Sequence, residues 1–349
     1  MPYTWTPPQI TELTTEQQTA LNDPDSISVA GGPGTGKSVV ALWRHIRNHD
    51  LNNGKSLLLT YTKTLEHYLK ISAQQYNQEA GEAVGRTLDW LYTRPSKQYE
   101  IIIDEAQDLS EDINMSILKY SERISFGADD QQILDPKKAT LEQRLREIFV
   151  TNSYPLSENF RNSFEILEFC SAFFPNKLIS HDTLSNLIEN ERRGNKPTLV
   201  KTKADLQNQN QALIDVINLF REELVAGTHN LAILVPLKKH VEDIKNVLNA
   251  HNININFSCY HTDLDFIGIE NIHVTTFKSS KGLEFDTVII PDFQNYDYNI
   301  RYYTLAPITE NDYYVAFTRT RRNLYLITSM VHEKLLGEKQ ALTYTIEEY

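Results

Sequence analysis

Cysteine is almost absent from this chain of 349 residues: Cys170 and Cys259 are the only two. Two thiols cannot build a disulfide framework or a usual zinc site, so they read as small apolar residues of a reducing, cytoplasmic compartment. Long apolar runs are missing too. No stretch approaches the 18 residues that suggest a membrane span. The opening Met1-Pro-Tyr-Thr-Trp-Thr-Pro-Pro8 has no basic segment followed by an apolar one, as a signal peptide would. Positive charge is in deficit, with 34 Lys and Arg against 46 Asp and Glu, a net −12. That balance argues against a surface that attracts nucleic acid everywhere, because such binding runs on Lys and Arg neutralising phosphates. It leaves room for a local basic track, for which Lys137-Lys138, Arg192-Arg193, Lys238-Lys239 and Arg321-Arg322 are the candidate positions. Internal repeats, heptads and low-complexity tracts are also lacking.

What is present is concentrated in two short motifs. Ser26 to Ala30 is a short apolar run that leads directly into Gly31-Gly-Pro-Gly-Thr-Gly-Lys-Ser38, which fits G-x-x-x-x-G-K-S. Gly32, Pro33, Gly34, Thr35 and Gly36 form a loop that turns backbone N–H groups inward on a polyphosphate. The helix expected after it aims its positive N-terminus at the same charge. Lys37 is placed to reach the β and γ phosphates of ATP, and Ser38 to offer a hydroxyl to Mg²⁺. Tyr99-Glu-Ile-Ile-Ile-Asp-Glu-Ala-Gln-Asp108 is an apolar, β-branched run ending in adjacent acids, as expected of a buried parallel strand. Asp104 at its end is the second candidate for Mg²⁺, and Glu105 the group that polarises the attacking water.

Apolar runs near 26–30, 56–61, 100–104 and 123–127, separated by helical patterns, predict a parallel α/β domain over residues 1–153. A polar junction around Thr151-Asn-Ser-Tyr-Pro155 precedes a second series at 197–201, 231–235, 272–276, 286–290 and 323–328, assigned to a domain over 154–349. Asn252-Ile-Asn-Ile-Asn-Phe257 alternates like a half-exposed strand. Only the first half carries a phosphate loop, so the nucleotide is expected in the cleft between the two domains.

The order of motifs resembles the UvrD/Rep/PcrA-like helicases of superfamily one, from Leu13 to about Ile327. Leu13-Thr-Thr-Glu-Gln-Gln-Thr-Ala20 is similar to the family's glutamine motif, which implies that Gln17 reads adenine. Leu59-Thr-Tyr-Thr-Lys63 and Gly85-Arg-Thr-Leu-Asp-Trp90 resemble DNA-contact segments, implicating Tyr61, Thr62 and Thr87. Gly127-Ala-Asp-Asp-Gln-Gln132 resembles the γ-phosphate sensor, here Gln131. Glu158-Asn-Phe-Arg161 and Tyr314-Val-Ala-Phe-Thr-Arg319 look like the two arginine motifs, with Phe160 in the place of an adenine-stacking aromatic. Thr276-Phe-Lys-Ser-Ser-Lys-Gly-Leu-Glu-Phe285 is similar to T-x-H-x-x-K-G-L-E-F, which implies nucleic-acid contacts from Thr276 and Lys278 and a ribose contact from Glu284. By this resemblance the chain has two RecA-like domains and hydrolyses ATP, with Arg161 and Arg319 stabilising charge at the transferring phosphoryl group.

Three departures qualify the resemblance. Nine residues separate Trp90 from Glu100, and Phe257 to Ile272 leaves room only for a loop, so neither of the family's inserted helical domains fits. Leu134-Asp-Pro-Lys-Lys138 replaces the aromatic and arginine pair that stacks on a base. Lys278 replaces the histidine of the fifth motif. The reading is an ATPase that moves along or remodels single-stranded DNA, with RNA left open. The alternative is an ATP-driven switch acting on a partner protein, for example a nuclease of a bacterial defence module.

Overall fold

The computed structural model describes residues 6–51, 54–93, 95–303 and 307–349. Residues 1–5, most of the segment read for a leader pattern, lie outside the described residues. The chain forms two compact units, one over Thr4–Phe160 and one over Arg161–Tyr349.

The N-terminal unit is built on six strands: β1 (Ile27–Gly31), β2 (Ser56–Thr60), β3 (Val84–Arg86), β4 (Glu100–Ile103), β5 (Ile124–Ala128) and β6 (Asn152–Leu156). All pair in parallel in the order β3-β2-β4-β5-β1-β6. The central β4 and β5 are buried along their whole length, which is why their sequences are near-continuous apolar runs rather than alternating ones. The segment read as a polar junction is β6, an exposed edge strand whose Pro155 is tolerated there because an edge does not need every N–H. A buried ion pair locks the helix Lys37–Asp50 to the sheet. Arg44 Nε donates to Glu100 Oε1 at 2.7 Å, while Asn48 and Ser125 donate to the same carboxylate at 2.6 and 2.5 Å. Such a pair holds geometry more than it adds stability, since desolvation offsets much of its attraction. Here it fixes the helix that follows the phosphate loop against the strand that carries Asp104.

The C-terminal unit holds seven strands: β7 (Thr198–Lys201), β8 (Leu231–Val235), β9 (Phe257–Tyr260), β10 (Ile272–Thr276), β11 (Phe285–Ile290), β12 (Thr320–Thr328) and β13 (Thr345–Glu348). They too are parallel, in the order β13-β7-β12-β11-β8-β10-β9. Their core is aliphatic, with Leu231, Ile233, Val274, Ile289 and Ile327 at its centre. The strand expected over 252–257 is absent. Asn252 turns through the left-handed region at φ 48°, and pairing begins only at Phe257. Alternation there reflects a turn with two inward isoleucines.

Candidate functional site

The phosphate loop joins the end of β1 to the helix Lys37–Asp50. Gly34 and Gly36 take φ of 73° and 89°, which L side chains rarely adopt. A Cβ at Gly36 would also stand 2.3 Å from Gln17 Nε2. Thr35 Oγ1 donates to the Gly32 carbonyl at 3.0 Å, and Lys37 Nζ donates to the carbonyls of Gly31 and Gly32 at 2.7 and 2.8 Å. The lysine also lies 3.9 Å from Asp129 Oδ2.

Asp104 follows β4 directly. At Gly127 on β5, a Cβ would lie 3.1 Å from Asp104 Oδ1 and 3.5 Å from the Lys37 Cβ, so the base of the lysine side chain and the carboxylate meet over this glycine. Glu105 is held at φ 62°, ψ 41°, a left-handed conformation that costs a non-glycine residue about 1–3 kcal/mol. Gln107 Nε2 donates to Glu105 Oε2 at 2.6 Å. Gln131 is the middle residue of the short turn Asp130–Gln132, capped by Asp129, whose Oδ1 accepts from the Gln131 backbone N–H at 3.0 Å.

Gln17 and Phe160 gather at one crevice, lined also by Thr35 and Glu158. The Gln17 amide is engaged there, accepting from Thr14 N at 3.0 Å and donating to the Thr35 carbonyl at 3.1 Å. Asn159 and Phe160 brace the loop from the other side. Asn159 Nδ2 donates to the Pro33 carbonyl at 2.5 Å and Phe160 N to the Gly34 carbonyl at 2.8 Å. Sequence reading missed Gly127, Asp129 and Asn159. The signal was available only as neighbours of Gln131 and Phe160 inside motifs already noted.

Of the nucleic-acid candidates in the N-terminal unit, Tyr61 packs part-buried against the β4–β5 core, and Thr62 Oγ1 accepts from Leu65 N to cap the helix Lys63–Gln74. Thr87 is 1% exposed and its hydroxyl donates to the Thr60 carbonyl at 3.3 Å. Through that bond Thr87 braces β2. In Leu134-Asp-Pro-Lys-Lys138, Leu134 is buried and its N donates to Asp108 Oδ1 at 2.9 Å, while Pro136, Lys137 and Lys138 are exposed.

In the C-terminal unit, Arg161 Nε donates to Glu284 Oε2 at 3.0 Å, and Arg321 lies 3.9 Å from the same carboxylate. Arg319 is different. It is 1% exposed, and its guanidinium donates to the carbonyls of Val315 and Leu283 at 2.9 and 3.3 Å and to the Thr318 hydroxyl at 3.3 Å. Thr276 Oγ1 caps the turn after β10 by accepting from Ser279 N at 3.2 Å. Lys278 Nζ donates to the Pro307 carbonyl at 3.0 Å and lies 3.9 Å from Asp312.

Two parallel sheets, one ending in a glycine-rich phosphate loop beside an Asp-Glu strand end, define a RecA-like two-domain core. The family described as the Schlafen group 3 DNA/RNA helicase domain matches residues 24–212, more than half of the chain, and the chain belongs to that family. The UvrD-like helicase C-terminal domain matches residues 260–330, which include Thr276–Phe285 and Tyr314–Arg319. Among solved structures, S. cerevisiae Dbp5 bound to RNA and ADP BeF3 is similar over 96% of this chain and 90% of that one, at 13% identity and a TM-score of 0.59. A variant of S. cerevisiae Dbp5 with the same ligands gives the same coverages, at 14% identity and a TM-score of 0.58. At those identities the likeness is one of fold. No curated protein sequence matches the chain. No helix among the described residues is long and apolar enough to cross a membrane.

Proposed function

We propose that the chain is a UvrD-like ATPase that couples ATP hydrolysis to movement along, or remodelling of, single-stranded DNA in a reducing, cytoplasmic setting. The observation that carries this reading is the convergence of Lys37 and Asp104 over Gly127, below a loop with two left-handed glycines. Lys37 leaves the loop carbonyls for the β and γ phosphates as its charge is neutralised there. Mg²⁺ would be held by Ser38 and Asp104, hard oxygen donors suited to a cation that keeps phosphate and water as its other ligands, and when bound it offsets charge on the phosphate oxygens. Glu105 takes a proton from the attacking water, and Gln131 senses the γ-phosphate. Phe160 and Gln17 take the adenine, and Glu284 the ribose. Arg161 and Arg319 stabilise the charge that builds on the transferring phosphoryl group. Tyr61 stacks on a base with Thr62 beside it, Thr276 and Lys278 grip the strand from the C-terminal unit, and Thr87 acts through β2.

One observation favours a second reading, an ATP-driven switch that acts on a partner protein. Leu134 N is tied to Asp108, and Leu134–Lys138 carries no aromatic side chain, so no stacking pair stands where the resemblance places one. Loss of such a contact weakens the grip by about 1–3 kcal/mol per base. ATP turnover by the purified chain, alone and with single-stranded DNA or RNA, with strand displacement followed in parallel, tests both. Stimulation by single strands is expected, with duplex displacement poor without a partner. Turnover that no nucleic acid stimulates sinks the motor and leaves the switch.

A further inference from the structure

In the C-terminal unit a cavity of about 210 Å³ opens at the carboxyl ends of β8 and β11. From β8 the chain runs through the helix Lys238–Ala250 to β9 on one side of the sheet. From β11 it runs through the helices Tyr296–Tyr302 and Glu310–Phe317 to β12 on the other. Divergent connections from adjacent parallel strands leave a crevice outside their carboxyl ends, the usual place for a ligand in an open α/β sheet. No site residue assigned above lies in it.

We infer that this cavity binds a guanidinium group carried on an aliphatic stem. Its lining includes Asp243, Asp292 and Asn299 together with the aromatic rings of Tyr298 and Tyr303, and among the described residues it has no lysine or arginine. Asn299 is 4% exposed, and its Nδ2 donates to Tyr313 Oη at 2.8 Å. Among the described residues no hydrogen bond reaches its Oδ1, which is left as an acceptor on the cavity wall. Two carboxylates and an amide oxygen ask for a ligand rich in donors, and guanidinium presents five in one plane. Tyr298, 54% exposed, offers a flat ring for that plane to stack on. Tyr303 already attracts a cation: Lys239 Nζ stands 5.7 Å from its centroid. His240 does not compete, because burial, followed by the neighbouring Lys239, holds its ring below the usual histidine range and so uncharged at neutral pH. The same carboxylates repel a phosphate backbone, which disfavours nucleic acid here.

The guanidinium could come from a free small molecule or from an arginine of another protein. Calorimetric titration of the purified chain with agmatine and with a short peptide containing one arginine distinguishes these sources, using the citrulline peptide as the uncharged control. Saturable binding of either guanidinium ligand is expected, with citrulline weaker by about ten- to a hundredfold, the scale of a charge-assisted hydrogen bond. Tighter binding of the peptide than of agmatine assigns the site to a protein side chain, and the reverse to a small molecule. The double variant D243N/D292N should weaken binding by a similar factor. Asparagine accepts the left-handed backbone of residue 292, so the variant should fold, which circular dichroism checks. Citrulline binding as tightly as arginine, an unaffected double variant, or an oligonucleotide occupying the cavity in place of either cation would overturn the assignment.

Discussion

Glu105 and Asp292 stand in the same backbone situation in the two units. Each is the second residue after a buried parallel strand, each is left-handed, at φ 62° and φ 53°, and each starts a single 3-10 turn. Each carboxylate also accepts from a glutamine two residues on, Gln107 at 2.6 Å and Gln294 at 3.3 Å. What differs is the company. Glu105 is preceded by Asp104 and stands in the unit whose sheet carries the phosphate loop, whereas Asp292 is preceded by Pro291 and opens onto Asp243 and two tyrosines. The turn therefore presents an acid at a strand end, and the neighbours decide its use. A search for strained acids alone would select both.

The sharpest way to break this comparison is to remove charge at each acid. Glu105→Gln should cut kcat for ATP by up to about 10⁴-fold while nucleotide still binds, because a general base acts in the transition state. Asp292→Asn should act on guanidinium binding instead. An equal loss of turnover in both variants would erase the distinction. Next in size are the arginines. Arg161→Ala should lower kcat by about 10³-fold with little change in ATP affinity. Arg319→Ala should lower it too but also cost about 1–3 kcal/mol of stability, because the carbonyls of Val315 and Leu283 lose a buried donor. A thermal melt of Arg319→Ala matching wild type would contradict the packing described.

Both units also bury a histidine, His45 and His273, and burial pushes each ring down to about 3. In the unfolded chain these rings titrate near 6.5, so below that pH the unfolded state takes up protons that the native state refuses. Stability should therefore fall with pH from about 6.5 towards 3, by up to about 1.4 kcal/mol per pH unit for each ring. Urea midpoints for His45→Gln and His273→Gln should show a shallower slope, and an unchanged slope would deny the burial. A smaller effect, about 1 kcal/mol of stabilisation, is expected of Glu105→Gly and Asp292→Gly, which relieve the left-handed strain. Smallest is Lys278→Ala, which should reduce the salt slope of single-strand binding by close to one counterion.

The central strands were legible because burial on both faces forces the near-continuous apolar runs at β4, β5 and β8. The edges were not. β3 is three residues long, β6 contains Pro155, and β13 is exposed at every position, so none is marked by hydrophobicity. The phosphate loop was legible because the backbone angles at Gly34 and Gly36 ask for glycine. Tertiary surroundings set the rest. No local pattern tells that Arg319 is sealed inside its unit while Arg161 reaches Glu284, that Thr87 turns its hydroxyl to β2, or that Gly127 owes its lack of a side chain to Asp104.

The position of β1 in its sheet has a consequence for how the protein is made. Ile27 to Gly31 lie between β5 and β6, and Ile27 pairs with Asn152, about 125 positions later in the chain. Local contacts form early and distant pairings late, because loop closure has to be met before they stabilise anything. At about 5–20 residues per second of synthesis, the strand that leads into the phosphate loop waits roughly 6–25 s for its outer neighbour to be made. Throughout that interval the stretch from Ile27 to Ala30 lacks its final partner, so the glycine-rich loop that follows it is among the last parts of the nascent unit to take shape.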